Sequence, residues 1–586
     1  MVGDDRKEDS KGIVPAVSDE QLFEAVKKHS KPAGRVFQYG TAGFRMKANL
    51  LDSVVFRVGL AATLRSRELN KTIGVMITAS HNPPEDNGVK LVDPMGEMLR
   101  EDWEGKATEL ANAADEDVVA LYRKLEAELG IKPGDDNSAS RKEYANVVFA
   151  RDTRASGPKL VTALVDAFKA TGIAHADYKL LTTPQLHYLT RCTNTEGTSQ
   201  AYGVVSEAGY YEKLSDAFVR AMDGRKARGS LTVDCANGVG GPKLAAWVKT
   251  LQAAEEKVQA EYLSRKPPIK KDMKTALEIK IVNDDVLRAE VLNQDCGADF
   301  VKTKQRAPPS SKAGPNERCC SYDGDADRIV FYFNDPEHGF RLLDGDRIAT
   351  LAASFIGDLV REAGFADELS IGVIQTAYAN GASTKYVEQT LGLPVVCTKT
   401  GVKHLHHAAL SFDVGVYFEA NGHGTVVFSD KSLDLFKKII KAEKWESPAQ
   451  QSAIMTLSAL TDLINQTVGD ALSDMLLVEV ILAHKSWTPK EWDLTYTDLP
   501  NRLVRVEVGD RGLFTTEHAE RRLVTPYGAQ AQIDALVSKF KDGRSFARAS
   551  GTEDAVRVYA EARTRSEADD LANKVALVVK QEGGGH

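Results

Sequence analysis

The sequence predicts an α/β protein of several domains, built on mixed, mostly parallel sheets, with a smaller α+β domain at its C-terminal end. Three observations carry that expectation. Short apolar runs alternate with stretches of helical spacing through most of the chain, the pattern of strand–helix–strand units. The length, 586 residues, exceeds what one core can hold, and a prior of about 150 residues per domain gives about four. Near the C-terminal end the alternation gives way to two strand-like runs, Leu503 to Val506 and Val556 to Tyr559, followed by a helical stretch from Glu567 to Lys580. The expected divisions are 1–205, 206–342, 343–475 and 476–586.

In chain order, the polar stretch up to residue 18 is expected as a loose tail, and Leu22 and Val26 begin a short amphipathic helix. Gln38-Tyr39-Gly40-Thr41-Ala42-Gly43-Phe44-Arg45 reads as a glycine-rich turn ending in an arginine. Leu51 to Leu69 has helical spacing. Ile73 to Ile77 is the kind of apolar run that forms a buried parallel strand, and it opens into Thr78-Ala79-Ser80-His81-Asn82-Pro83-Pro84. Asn87-Gly88 beyond it reads as part of the same tight loop. Trp103 to Leu129 is read as one helical tract, followed by a Pro-Gly-Asp-Asn-rich loop at 133–137. Val147 to Ala150 is a strand, and Leu160 to Thr171 a helix.

The strand–turn–helix plan recurs at Leu231 to Gly241 and again at Ile371 to Gly381, so the first three domains are expected as variations on one design. The glycines of 238–241 match neither GxGxxG, because Lys243 stands at its last glycine, nor a P-loop, so this turn is read as scaffold. The Lys-, Pro- and Ser-rich segment 302–318 is expected on the surface.

Composition narrows the class. With 42% hydrophobic and 27% charged residues the chain is ordinary for a globular protein. A net charge of −8 gives no basic footprint, which argues against a nucleic-acid partner. An anionic ligand therefore has to be gripped by local clusters of donors. The cysteines at 192, 235, 296, 319, 320 and 397 form no CxxC pair, which argues against a disulfide framework or zinc site and fits a reducing compartment. Met1 to Gly12 has no apolar core of a signal peptide, and no apolar run approaches the roughly 18 residues of a membrane span. A cytoplasmic protein with no membrane partner is expected.

Four stretches carry chemistry. Ser80 follows a buried strand, where a turn presents a hydroxyl; an ordinary turn serine is the competing reading. Asp323-Gly324-Asp325-Ala326-Asp327-Arg328 is the second. In an extended segment its three carboxylates point the same way and, so close, raise each other's pKa unless a cation sits between them. Hard oxygen donors select Mg²⁺. An EF-hand is excluded by Arg328 at its glycine position, while a phosphatase with an aspartyl nucleophile remains an alternative. The third, Phe418-Glu419-Ala420-Asn421-Gly422-His423-Gly424, places donors and acceptors suited to vicinal sugar hydroxyls between two strands; a plain hairpin with incidental polar residues is the competing reading. The fourth, Arg548-Ala549-Ser550-Gly551-Thr552-Glu553-Asp554 with Arg557 beyond, combines arginine, hydroxyls and glycine-turn amides into a phosphate nest.

In this order the four stretches resemble the α-D-phosphohexomutase superfamily, with its serine, metal, sugar and phosphate loops. Thr78 to Pro83, the Asn87-Gly88-Val89-Lys90 extension, Thr400-Gly401-Val402-Lys403-His404 and Phe418 to Gly424 look like its phosphoacetylglucosamine mutase branch. The resemblance runs from about Gln38 to Tyr559. It implies four domains around a central cleft and interconversion of N-acetylglucosamine 6-phosphate and 1-phosphate, on the route to UDP-N-acetylglucosamine. It further implies a phosphoserine at Ser80, one Mg²⁺ per chain held by Ser80, Asp323, Asp325 and Asp327, and a sugar 1,6-bisphosphate as intermediate and activator. Lys90 is the first candidate base and His423 the second, while Arg45 and Arg328 steady the phosphoryl oxygens. Glu419, Ala420 and Asn421 would hold the sugar; Arg548, Ala549, Ser550, Gly551, Thr552 and Arg557 would hold the second phosphate. Ala549 departs from the proline common in the family, which puts loop stiffness in question. A phosphoglucomutase or phosphomannomutase is the alternative, although those enzymes typically carry Glu-x-Ser-Gly-His where this chain has Glu419-Ala420-Asn421.

Overall fold

In the computed structural model, residues 18–40, 43–131, 146–265, 268–550 and 555–584 are described. The chain divides into two compact units: Met1–Ala79 with Glu85–Leu181 and Leu186–Val205, and Ser80–Pro84 with Thr182–Gln185 and Ser206–His586.

The first unit is built on β1 (Phe44–Lys47), β2 (Ile73–Ile77), β3 (Asp86–Val92), β4 (Asn146–Arg151) and β5 (Ala174–Leu180), in the order β1-β3-β2-β4-β5. β2, β4 and β5 run parallel, while β3 is antiparallel to both β1 and β2. Helices Asp52–Leu69 and Gly157–Thr171 pack on this sheet; the former is buried without interruption from Ser53 to Ser66. Its buried cations are matched: Arg65 makes a two-point pair with Asp93, 2.9 Å at each nitrogen, and Arg57 reaches Asp115 at 2.6 Å.

Three local readings need correction here. Trp103 to Leu129 is two helices, Glu101–Asn112 and Val118–Glu128. The acids Asp115, Glu116 and Asp117 form a 3₁₀ turn between them, where negative charge suits a helix N-terminus better than a helix interior. Asn87 and Gly88 are not a turn but part of β3, opposite Met46 and Arg45. Glycine is required there for close approach, since a Cβ at position 88 would lie 2.5 Å from the Thr78 carbonyl oxygen and 2.6 Å from that of Phe44. Arg45 likewise sits within β1 rather than at the end of a turn. The loop read at 133–137 and the tail before residue 18 lie outside the described residues.

The second unit carries two sheets of one topology. One comprises β6 (Ser230–Asp234), β7 (Glu278–Val282), β8 (Arg318–Tyr322), β9 (Ile329–Asp335) and β10 (Gly339–Leu343), ordered β10-β9-β8-β6-β7. The other comprises β11 (Ile371–Thr376), β12 (Val395–Thr398), β13 (Val414–Phe418) and β14 (Gly424–Phe428), ordered β12-β11-β13-β14. In each, the first strand lies between two parallel neighbours, and the third turns back through a hairpin into an antiparallel fourth. The C-terminal part is a three-stranded antiparallel sheet of β15 (Asn501–Glu507), β18 (Arg544–Ala549) and β19 (Ala555–Glu561), with a hairpin of β16 (Thr515–Glu517) and β17 (Arg522–Thr525), covered by helix Arg565–Glu582. The expected α/β plan and smaller α+β end are both present.

This topology positions the four stretches. Each lies in the turn between two adjacent antiparallel strands: β2 to β3, β8 to β9, β13 to β14 and β18 to β19.

Candidate active site

Ser80 and the acidic loop form one cluster within the second unit. Ser80 is buried, and its Oγ donates to Asp323 Oδ2 at 2.5 Å. Its backbone is left-handed, with φ at +51°, and Asn293 holds that turn from outside by donating its amide to the carbonyls of Ser80 (2.9 Å) and Asn82 (3.0 Å). The two loops touch so closely that a Cβ on Gly324 would lie 2.6 Å from the Ser80 carbonyl oxygen.

The three carboxylates converge, though not along an extended strand as the spacing suggested. The segment turns: Ala326 takes φ +56° and its N–H reaches the Asp323 carbonyl at 3.1 Å. Asp323 Oδ1 accepts from the backbone N–H of Asp327 (3.1 Å) and of Arg328 (3.2 Å). A left-handed residue lets the chain fold around its first aspartate, which brings the later two back toward it. One oxygen from each of Asp323, Asp325 and Asp327 lies within 4.8 Å of the others, and all three side chains are buried. Burial first, then Asp327 and Asp325, drives the Asp323 carboxyl well above its usual range, with Arg328 opposing. Three buried hard oxygen donors with a serine hydroxyl beside them fit a magnesium ion, whose charge would relieve that cost. Arg328 Nε stands 3.7 Å from Asp323 and 3.8 Å from Asp327.

The sugar-type loop joins the same cluster. Ile329 N–H donates to the Gly422 carbonyl at 3.1 Å, which ties the β13–β14 turn to the end of the acidic loop. His423 is buried, with Nδ1 3.2 Å from Asp327 Oδ1 and, among the described residues, no hydrogen-bond partner at Nε2. Asn421 donates to Glu419 Oε2 (3.2 Å) and accepts from the His423 N–H (2.9 Å), so the loop braces its own polar groups. Glu419, Ala420 and Asn421 are partly exposed, as ligand-facing groups must be.

Arg548 and Ala549 end β18, Ser550 follows, and Arg557 lies on β19 directly across from Arg548. Arg505 of β15 pairs with Arg557 from the other side, so three guanidinium side chains form a row across three strands. Like charges opposite one another destabilise a sheet unless an anion lies between them. Glu520 meets Arg548 Nε at 3.2 Å and accepts from the Thr400 N–H at 2.9 Å. Gly551 and Thr552 lie outside the described residues.

Lys90 and Arg45 belong to the first unit, Lys90 buried on β3 opposite Met76 and Arg45 on β1 opposite Gly88. Sequence reading missed Asn293, Thr183, Arg505 and Glu520. Arg505 had a detectable signal, an arginine amid the alternating residues of a strand; the other three are common residue types in connecting segments and carried none.

Comparison with known proteins finds four matching family models. Models described as phosphoacetylglucosamine mutase AMG1, domain II and domain III, match residues 199–330 and 344–487. Those of phosphoglucomutase/phosphomannomutase, alpha/beta/alpha domain I and C-terminal domain, match 61–118 with 136–205, and 503–578. The human phosphoacetylglucosamine mutase is 50% identical over 561 residues, covering 95% of this chain and 96% of that protein. The crystal structure of Aspergillus fumigatus N-acetylphosphoglucosamine mutase with GlcNAc-6P and magnesium is 60% identical, with a TM-score of 0.87, covering 97% of this chain and 100% of that one. A serine-to-alanine variant of that enzyme in complex with glucose 1,6-bisphosphate is 60% identical, with a TM-score of 0.88, covering 97% and 99%.

Proposed function

The chain belongs to the phosphoacetylglucosamine mutase family, isomerases that interconvert N-acetylglucosamine 6-phosphate and N-acetylglucosamine 1-phosphate, and we propose that it does so through a phosphoserine at Ser80. The observation that carries this reading is the Ser80 hydroxyl 2.5 Å from Asp323, inside a group of three buried, convergent carboxylates. A phosphoryl carrier needs charge neutralisation and positioning at the transferring group, which carboxylates able to hold a divalent cation beside its hydroxyl supply.

In the proposed cycle phosphorylated Ser80 gives its phosphoryl group to the free hydroxyl of the sugar monophosphate. The Ser80 Oγ–P bond breaks, an O–P bond to the sugar forms, and the hydroxyl proton passes to a base. The resulting 1,6-bisphosphate reorients, its other phosphate returns to Ser80, and the proton is given back to the departing sugar oxygen. Mg²⁺, one per chain and held by Ser80, Asp323, Asp325 and Asp327, supplies charge neutralisation at the transferring phosphoryl group. Arg328 and Arg45 steady its remaining oxygens, and Lys90 or His423 takes the proton. Glu419, Ala420 and Asn421 orient the sugar, while Arg548, Ala549, Ser550, Gly551, Thr552 and Arg557 grip the phosphate that stays behind. One such distal site serves either end of the sugar, which explains how the same serine phosphorylates both positions.

The expected divisions at 205/206, 342/343 and 475/476 are part of the same reading, beside matched segments at 61–118 with 136–205, 199–330, 344–487 and 503–578. A cytoplasmic setting, supplying UDP-N-acetylglucosamine synthesis, is also part of it. Among the described residues no helix is long and apolar enough to cross a membrane, and no disulfide joins the six cysteines.

The test is mass spectrometry joined to kinetics. After incubation with a sugar 1,6-bisphosphate, the wild-type protein should carry one phosphoryl group on the Ser80 peptide. Ser80→Ala should carry none and lose turnover of N-acetylglucosamine 6-phosphate. Normal turnover in that variant would overturn the phosphoserine, and faster wild-type turnover of glucose or mannose phosphates would move the sugar specificity.

A further inference from the structure

We propose that Thr183, far from all four sequence stretches, is a positioning residue that aims the Asp325 carboxylate into the metal site. The inference rests on the metal assignment above and adds a residue to it.

Thr183 is attached to Asp325 twice. Its hydroxyl donates to Asp325 Oδ2 at 2.6 Å, and its backbone N–H donates to the Asp325 carbonyl at 3.1 Å. Both residues are fully buried. A carboxylate has two oxygens in a fixed plane, so a short bond to one, with the backbone of the same residue also held, fixes where the other points. Asp325 is the middle ligand of a loop that turns through a left-handed Ala326, where a free side chain has several rotamers and one must be selected.

The support under Thr183 is itself rigid. Thr182 and Gln185 cap the start of helix Thr183–Thr195 reciprocally: the Gln185 N–H donates to Thr182 Oγ1 at 3.2 Å, and the Thr182 N–H donates to Gln185 Oε1 at 3.1 Å. Pro184 fixes the backbone between them. The Gln185 side-chain amide donates onward to the Tyr211 hydroxyl at 3.1 Å. The segment Thr182–Gln185 thus groups with the second unit, where the acidic loop lies, although the rest of its helix does not. Rigid partners behind a ligand raise metal affinity because the ligand need not be ordered on binding, and removing one typically weakens affinity about 10- to 100-fold.

The test reads metal binding without turnover. Mn²⁺, a spin-active substitute for Mg²⁺, is titrated into the purified full-length protein without substrate, and free ion is followed by electron paramagnetic resonance. Thr183→Val keeps the shape and burial but loses the donor, and should weaken Mn²⁺ binding about 10- to 100-fold. Thr183→Ser restores the hydroxyl and should bind close to wild type. Equal affinity in wild type and Thr183→Val would overturn the proposal, as would equal weakening in the serine and valine variants. If the valine variant does not fold, Thr183→Ala against Thr183→Ser gives the same contrast. A wild-type protein that binds no Mn²⁺ would instead strike the metal assignment itself, and this inference with it.

Discussion

Ser80 sits in a backbone conformation that costs a non-glycine residue on the order of 1–3 kcal/mol, and such strain persists only where neighbours over-determine it. Here they do: Asn293 clamps two carbonyls of the turn, and Gly324 leaves room for it to settle on the acidic loop. The residue scale also separates the two candidate bases. His423 Nδ1 stands 3.2 Å from Asp327 Oδ1, a carboxylate assigned to the metal, whereas Lys90 is buried on β3, away from the three carboxylates' loop in sequence. Lys90→Ala should therefore lower kcat by about 10²- to 10⁴-fold, the usual worth of a positioned base, and remove one limb of the pH–rate profile. His423→Gln should keep that limb. A full profile surviving in Lys90→Ala would transfer the role to His423.

Among the elements, one device recurs: chemistry is placed in turns between adjacent antiparallel strands. A hairpin turn is short, held at both ends by ladder hydrogen bonds, and free to expose backbone groups, so it presents side chains with little loss of precision. The row Arg505–Arg557–Arg548 belongs to this scale, because it exists only through strand register. Arg557, at its centre, faces a guanidinium on each side. Arg557→Ala should raise KM for N-acetylglucosamine 6-phosphate with a smaller change in kcat, the mark of lost ground-state binding. Inorganic phosphate should raise the melting temperature of wild type and lose much of that effect in the variant. Unaltered KM and phosphate stabilisation would remove Arg557 from the phosphate site.

At the scale of the whole molecule, packing sets a pH limit. His484 lies where helix Ala471–Lys485 meets the end of helix Glu207–Met222 and helix Gly345–Glu362. Its Nε2 is 2.7 Å from the Ala221 carbonyl, and its ring is 5.0 Å from that of Phe355. Burial, with Arg225 adding to it, pushes its pKa down from 6.5 to about 4. The unfolded chain therefore takes up a proton below about pH 6.5 that the folded one refuses until about pH 4. Stability is fully present above 6.5, falls across that window by roughly 3 kcal/mol, and levels below it. His484→Gln, which keeps a donor for Ala221 but does not titrate, should melt with a shallower dependence on pH between 7 and 4.5. Parallel curves for the two proteins would refute the linkage.

The amino-acid sequence by itself determined the α/β plan, the separate C-terminal sheet and the four reactive stretches. These are local properties: apolar runs of strand length, helical spacing, and acids or arginines packed within a few residues of one another. It determined neither Asn87-Gly88 as strand nor the break at Asp115-Glu116-Asp117, because the same residues serve turns, close approaches and helix starts, and only neighbours choose among them. Nor did it yield Thr183, Asn293 or Arg505. A threonine hydroxyl acquires meaning from the carboxylate it meets 142 residues away, an asparagine from carbonyls more than 200 residues away, and an arginine from the register of two other strands. Tertiary structure decided those roles, since hydrogen bonds and charge rows are set by distance in space, which sequence separation does not measure.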